Sequence, residues 1–441
     1  MTRRPRITLP AAAAMAALAL PVTAPRAEQN PWYIGVSEMY SHESNLLRLA
    51  DGQTAEQAQA AQGLQGVTLS RGDNLSQTSL LAGLDKPFGR QHAYANVSIR
   101  DARYDRNTLY NNVGYTANAG LDWSTAERVA GSLAYSANRS LSSFNSYGVT
   151  TQKNLESSQN IDANVRVGLV TQYRLVFTLD HRQTHNSDPD PTIQSREYNQ
   201  DAASFGLQWT PRDPTTLGMA LRETQGRYPK YLQLTDSLNN PIPGAYQADR
   251  FKQSALDLTA SLVPSGASTL DARLSYSKTH YDLNQQRDFS GLTGTAGWTW
   301  QPRDRLKLSA RWYRDVGQNS YATTYFNVAG TSDYSQLYNS YRLQADFNAT
   351  AKLSFTGALQ LVDRTLVTTV NNPLIPANLL DQSGKDSSTV VSLGMRWVPL
   401  RSVTFGCDAS TERRTATGSV GLTVPLHDNT LSCFGQFQLQ Q

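Results

Sequence analysis

Hydrophobic and polar residues alternate with period two along most of the chain. Between Leu109 and Trp123, the residues Leu109, Val113, Tyr115, Ala117, Ala119, Leu121 and Trp123 share one face, and Asn112, Gly114, Thr116, Asn118, Gly120 and Asp122 share the other. Ile161, Ala163, Val165, Val167 and Leu169 likewise alternate with Asp162, Asn164, Arg166 and Gly168. The pattern recurs as Leu292, Ala296, Trp298 and Trp300 against Thr293, Thr295 and Thr299, and as Leu306, Leu308, Ala310 and Trp312 against Lys307, Ser309 and Arg311. Such alternation marks a strand with one apolar surrounding and one polar one. The runs are about 10 to 14 residues long, against about 5 to 6 for a globular strand and about 9 to 11 for a tilted strand crossing a bilayer. They predict an all-β fold, a transmembrane antiparallel up-and-down β-barrel that is apolar outside and polar inside. Helical periodicity is weak; Ala55–Ala61 is the exception, a short helix or a loop.

Turns give an independent signal. Short polar breaks fall near Lys86-Pro87, Ser124-Thr125, Thr171-Gln172, Pro211-Arg212, Pro264-Ser265, Pro302-Arg303, Ala349-Thr350 and Pro399-Leu400. Longer irregular segments lie between them: Ser140–Ser158, Gln183–Glu197, Tyr228–Arg250, Gly317–Ser335, Arg364–Lys385 and Thr415–His427. Short turns alternating with long loops is the outer-membrane pattern, with the turns periplasmic and the loops extracellular. Trp123, Trp209, Trp300 and Trp397 each end a strand just before a short turn, as in Trp209-Thr210-Pro211-Arg212-Asp213 and Trp300-Gln301-Pro302-Arg303-Asp304. An indole is apolar with one polar handle, so a recurring Trp at one end of the hairpins fits an interface girdle. Eight short turns imply sixteen strands; a last strand at Asn429–Gln440 and a first at Tyr33–Tyr40 bring the expectation to 18, with 16 as the alternative. The connection Ser41–Leu75 is either an extracellular loop or a plug folded into the lumen.

Composition changes this picture in two ways. Only 17% of the 441 residues are charged, although the mean hydropathy is −0.48. Polarity therefore comes from Ser, Thr, Asn, Gln, Gly and 21 Tyr. The net charge of +4 invites a nucleic-acid reading, but its source is local. Arg3, Arg4 and Arg6 precede the apolar run Ile7–Val22, and small residues follow up to Ala27. That is the layout of a secretory signal peptide over residues 1–27, cut after Ala24 or Ala27, and the run is shorter than the roughly 20 residues of a spanning helix. A short N-terminal anchor helix is the alternative. Without Arg3, Arg4, Arg6 and Arg26, the 40 basic residues fall to 36 against 36 acidic ones, so no nucleic-acid partner is implied. The mature barrel would span residues 28–441.

Strand parity places Arg100, Asp122, Arg166, Arg182, Arg222, Arg273, Arg311, Arg342, Asp346 and Arg396 on the inward face, with Asp180, Asp257 and Asp408. These charges either pair with one another or line a translocation path, where guanidinium forks and amides contact sugar hydroxyls and carboxylates. Cys407 and Cys433 fall on the outward parity of the last two strands, as a cross-strand disulfide or as two small lipid-facing residues. His181 and His185 have i,i+4 spacing but lie on a strand running into a loop, with no Glu in the zincin pattern, and read as part of a solvated loop. Neither a nucleophile elbow, a phosphate loop nor a dinucleotide fingerprint occurs, so no enzyme, cofactor or metal site is expected.

Several stretches, in order, carry a resemblance: Ser44-Asn45-Leu46-Leu47-Arg48-Leu49-Ala50-Asp51, Gly89-Arg90-Gln91, Gly120-Leu121-Asp122-Trp123, Ser140-Leu141-Ser142-Ser143-Phe144, Arg287-Asp288-Phe289-Ser290-Gly291-Leu292-Thr293-Gly294, and the turn at Trp300. Over roughly residues 30 to 440 the chain resembles the exosortase-associated exopolysaccharide-biosynthesis outer-membrane proteins of the EpsL type, within the β-barrel porins. The resemblance implies an outer-membrane component of exopolysaccharide synthesis and export, surrounded by outer-membrane lipids. Its implied partners are the exopolysaccharide, a polysaccharide copolymerase and an export lipoprotein. A general diffusion porin, a non-conducting assembly component and a membrane-embedded hydrolase are the other readings.

Overall fold

The computed structural model describes residues 31–61, 68–125, 128–142, 153–168, 171–238, 240–283, 285–325, 328–371, 382–418 and 423–439. The expected signal segment, residues 1–27, lies outside the described residues.

Eighteen strands form one sheet. They are β1 (Trp32–Glu43), β2 (Asp73–Phe88), β3 (Gln91–Tyr104), β4 (Asn112–Ser124), β5 (Val129–Leu141), β6 (Leu155–Val167), β7 (Tyr173–Asn186), β8 (Tyr198–Arg212) and β9 (Thr215–Thr235). They continue as β10 (Pro241–Ser265), β11 (Ser268–Tyr281), β12 (Phe289–Arg303), β13 (Leu306–Tyr325), β14 (Val328–Asn348), β15 (Leu353–Asn371), β16 (Gln382–Leu400), β17 (Val403–Gly418) and β18 (Leu426–Leu439). Each strand pairs antiparallel with the next, and β1 pairs with β18 through Ile34↔Leu439 to Glu43↔Thr430. The sheet is therefore a closed barrel with no free edge, which satisfies every wall N–H and C=O inside the sheet. Two short helices lie at the long-loop end: α1 (Ala55–Ala61) and α2 (Pro191–Gln194). In α1 the Thr54 hydroxyl accepts from the Gln57 amide and the Gln57 side chain accepts from the Thr54 amide, a reciprocal cap.

All eight expected short turns are present between consecutive strands. The first lies slightly later than expected. Pairing continues through Pro87↔His92 to Phe88↔Gln91, and Gly89 turns the chain with φ +62°, a conformation that glycine adopts at little cost.

Outward positions carry the large apolar side chains. Leu179, Leu221, Leu343 and Leu393 are 62, 64, 56 and 66% exposed. Such exposure fits a wall that faces hydrocarbon. Trp209, Trp300 and Trp397 stand on this face near the short-turn end, together with Trp32, Phe88 and Phe405; Trp123 joins them, half-buried against Gly131. Toward the other end the outward positions become ionic: Arg103 pairs with Asp101, His181 with Asp201 and His280 with Asp288. A charged residue also stands within the apolar positions of β1. Glu38 lies outward between Val36 and Tyr40, and its carboxylate accepts from the Ser76 and Thr78 hydroxyls at 2.6 Å each, which offsets part of its desolvation.

Two expected loops are strand instead. Tyr228–Arg250 is mostly the ends of β9 and β10, and most of Gly317–Ser335 continues β13 and β14. Above the membrane belt both faces of a hairpin meet polar surroundings, so the alternation that marks a strand fades while backbone pairing continues. The expected loops Ser140–Ser158, Arg364–Lys385 and Thr415–His427 lie partly outside the described residues.

Candidate functional site: the barrel lumen

Alternation in the pleat puts the ten candidate residues on the face opposite the exposed apolar side chains of the wall, eight of them next to such a side chain, Arg182 three residues beyond Leu179 on β7 and Arg311 in register with Arg342. Their partners differ. Arg100 donates to Thr116 at 2.9 Å and to Asn138 at 3.2 Å. Arg222 donates from Nε to Asp257 at 3.0 Å, and Asp257 also accepts from Ser275. Arg342 donates to Gln344 at 3.1 Å, and Asp346 accepts from Gln344 and Thr356 at 3.0 Å each. Asp122 stands 3.6 Å from His92, which also contacts Asp85 at 2.6 Å. Among the described residues, Arg166, Arg182, Arg273, Arg311 and Arg396 have no carboxylate within ion-pair distance. Of the ten, only Arg222 is therefore in an Arg–carboxylate pair.

A second set of luminal side chains escaped the sequence reading. Tyr33, Tyr94 and Phe434 stand directly opposite Gly83, Gly120 and Gly406. Each ring covers its glycine so closely that a Cβ there would collide with ring carbons. The rings thus lie flat on the wall, an aromatic-on-glycine packing, and remain half-buried, with one face toward the lumen. Finding them requires the strand register, because an isolated glycine in the sequence does not show what lies across from it.

The long-loop mouth is narrowed from two sides. Of the connection after β1, residues 44–49 pack against inward side chains of the wall, as a plug would. Leu47 and Leu49 are fully buried with Leu75, Tyr104 and Tyr110, and burial pushes the Tyr110 phenol pKa up. Asn45, also fully buried, donates to the Leu49 carbonyl and accepts from the Leu49 amide, both at 2.9 Å. Asp428 of β18 accepts from the Asn45 amide at 2.9 Å and from the Ser44 hydroxyl at 3.0 Å. Arg48, with φ +52°, pairs with the inward Glu412 at 2.6 Å. On the far side α2 approaches β13, and β9 approaches β13 and β14. There Arg287, 2% exposed, packs against the rings of Tyr228 and Tyr281 at 4.7 and 4.4 Å, with Asp249 at 3.6 Å. Arg287 belongs to a stretch singled out by the sequence; its burial inside the mouth depends on aromatic partners from two other strands, β9 and β11.

All six imidazoles contact an amide or a carboxylate: His42 with Asn74, His92 with Asp85, His181 with Asp201, His185 with Glu197, His280 with Asp288 and His427 with Asn429. His181 and His185 lie on the outer part of β7, both exposed to solvent, in contact with Asp201 and Glu197. Serine-hydrolase chemistry needs an imidazole bonded to a serine hydroxyl, and no such contact occurs among the described residues. Cys407 and Cys433 are directly opposite on the outer face, with sulfurs 2.12 Å apart and Cα atoms 4.0 Å apart.

The closed antiparallel ring has counterparts among solved structures. The fold is that of outer-membrane β-barrels. The FrpB iron transporter of Neisseria meningitidis aligns with TM-score 0.50 and 8% identity over 94% of this chain and 82% of that one. The OccK3 protein of Pseudomonas aeruginosa aligns with TM-score 0.41 and 13% identity over 93% and 96% of the two chains. The ferric enterobactin receptor PfeA of the same species gives 0.44 and 8%, over 92% and 81%. No family model matches the chain, and no curated protein matches it.

Proposed function

We propose that the protein is an outer-membrane barrel that guides exopolysaccharide across the outer membrane, with the short turns periplasmic and the narrowed mouth extracellular. The observation that carries this reading is the set of aromatic rings laid flat on the inner wall at Tyr33, Tyr94 and Phe434. A pyranose presents C–H bonds on one face, and a flat ring covers that apolar area. Around the rings the wall offers uncharged donors and acceptors such as Asn96, Asn118 and Asn138, two of which, Asn96 and Asn118, bond each other at 3.0 Å. Many weak, replaceable contacts suit a polymer that must slide. A polysaccharide copolymerase and an export lipoprotein are the partners this role requires, and a cleaved segment over residues 1–27 would target the chain.

Deleting the gene in the native organism tests the reading. Surface polysaccharide is expected to disappear while uptake of small nutrients is unchanged. Normal polysaccharide in the deletion strain overturns it, and a nutrient-uptake defect alone indicates a diffusion porin. The inward-folded segment after β1 favours a second reading, a non-conducting assembly component. Planar-bilayer recordings separate the two, because only a channel carries current that the polymer interrupts.

A further inference from the structure

The inner wall carries two like-charge pairs in direct register. On β6 and β7 two carboxylates face one another across the strands, Asp162↔Asp180. On β13 and β14 two guanidinium groups do the same, Arg311↔Arg342. The two strand pairs are seven places apart in a ring of eighteen, so they lie on opposing walls. Arg273 on β11 extends the basic side. Among the described residues none of Arg273, Arg311 and Arg342 has a carboxylate within ion-pair distance. The acids nearest in register are engaged elsewhere: Asp271 accepts from Ser261 at 2.6 Å, and Asp346 accepts from Gln344 and Thr356. Two like charges directly opposite across strands destabilise a sheet, and among the described residues neither guanidinium touches a carboxylate; Asp315, on the same face of β13, accepts from the Tyr313 hydroxyl at 2.6 Å. The Arg311 stem lies beside Gly297, its register partner on β12. Just beyond, toward the mouth, the rings of Tyr313 and Tyr338 meet at 5.4 Å on the same wall.

From this we infer that the Arg273–Arg311–Arg342 wall binds the carboxylates of an acidic saccharide, a polymer containing uronic acid or similarly carboxylated sugars. The inference rests on the export reading and adds the polymer's charge. A guanidinium fork matches a carboxylate in two parallel hydrogen bonds. Tyr313 and Tyr338 supply ring surface for the sugar that carries it. Asp162 and Asp180 share their strands with Arg166 and Arg182, whereas Asp85 and Asp122 beside Tyr94, on strands across the ring from β13, repel carboxylates and turn them toward the arginines. A lumen polarised in this way focuses anions along one side.

Calorimetry on the full-length barrel in detergent tests the assignment, with hexagalacturonate as the acidic probe and maltohexaose as the neutral one. Hexagalacturonate is expected to bind more tightly than maltohexaose, and to weaken as salt is raised. R273Q is expected to weaken it about tenfold, and R311Q with R342Q by more, leaving maltohexaose unchanged. Retained heat-modifiable mobility on gels identifies folded variants; R311K with R342K, which keeps the charge and loses the fork, is the second probe and should fall between. In bilayers under a KCl gradient the same glutamine variants should shift the reversal potential away from anion preference. Equal binding of the two probes, or acidic binding indifferent to all these variants, overturns the inference. Normal polysaccharide in the deletion strain would overturn export while leaving the calorimetric result standing, so the two failures are distinguishable.

Discussion

Asn45→Ala offers a direct measure of how firmly the plug is held. The Asn45 side chain closes a five-residue turn on Leu49 through two hydrogen bonds of 2.9 Å, in a site with no solvent exposure. Each such bond contributes about 1 kcal/mol net, and stranding the buried Leu49 amide and carbonyl adds a desolvation cost of about 1 to 3 kcal/mol. The sum is about 3 to 5 kcal/mol, or at least roughly a hundredfold in the plug's opening equilibrium. The wall itself should be untouched, because its hydrogen bonds run between strands. Amide hydrogen exchange reads this locally: protection across 45–49 should fall at least about a hundredfold while central β7 and β8 amides keep theirs. In bilayers the same variant should show longer or more frequent open intervals. Unchanged protection at Leu49 would refute the role given to Asn45. Parallel loss of protection in β7 and β8 would refute the independence of plug and wall.

Leu393→Arg places a charge on the lipid face and should cost about 2 to 4 kcal/mol, seen as a lower urea midpoint for refolding into vesicles; the substitution Ser392→Arg, one residue away and inward, should cost much less. Removing the Cys407–Cys433 bond with C407S and C433S together should lower the thermal midpoint, consistent with about 2 to 4 kcal/mol for a typical disulfide, and mass spectrometry of unreduced peptides should find the two strands linked. Arg287→Ala takes from buried Asp249 its 3.6 Å partner and removes three ring contacts; a loss of about 3 to 5 kcal/mol confined to the mouth is expected, read as increased exchange around Tyr281 and Asp288.

Most of the wall was legible because lipid enforces it. Period-two alternation, the tryptophans near the turns and the eight polar breaks all report one constraint, a strand with hydrocarbon on one side and polar side chains on the other. Where that constraint ends, so does the signal. The outer parts of β9, β10, β13 and β14 read as loops because water meets both of their faces. The plug was open to two readings, since the Leu46, Leu47 and Leu49 cluster shows apolar content but not which surface receives it. Inward residues followed from parity alone. Their partners did not, because Arg311 opposite Arg342, or Tyr94 over Gly120, is a fact of register between strands.

The pairing of β1 with β18 sets the order in which the chain becomes a barrel. Seventeen of the interfaces join neighbours in sequence, whereas the last joins Ile34 to Leu439. Local hairpins form fast, and distant contacts wait on a costly loop closure. A growing sheet therefore carries two unpaired edges until its final strand arrives. A chain ending before Leu426 would keep both edges exposed, and in a bilayer those edges have no water to satisfy them. Assembly is thus all-or-none with respect to the last fourteen-residue strand, and a truncated product should present itself to quality-control proteases, not persist as a smaller pore.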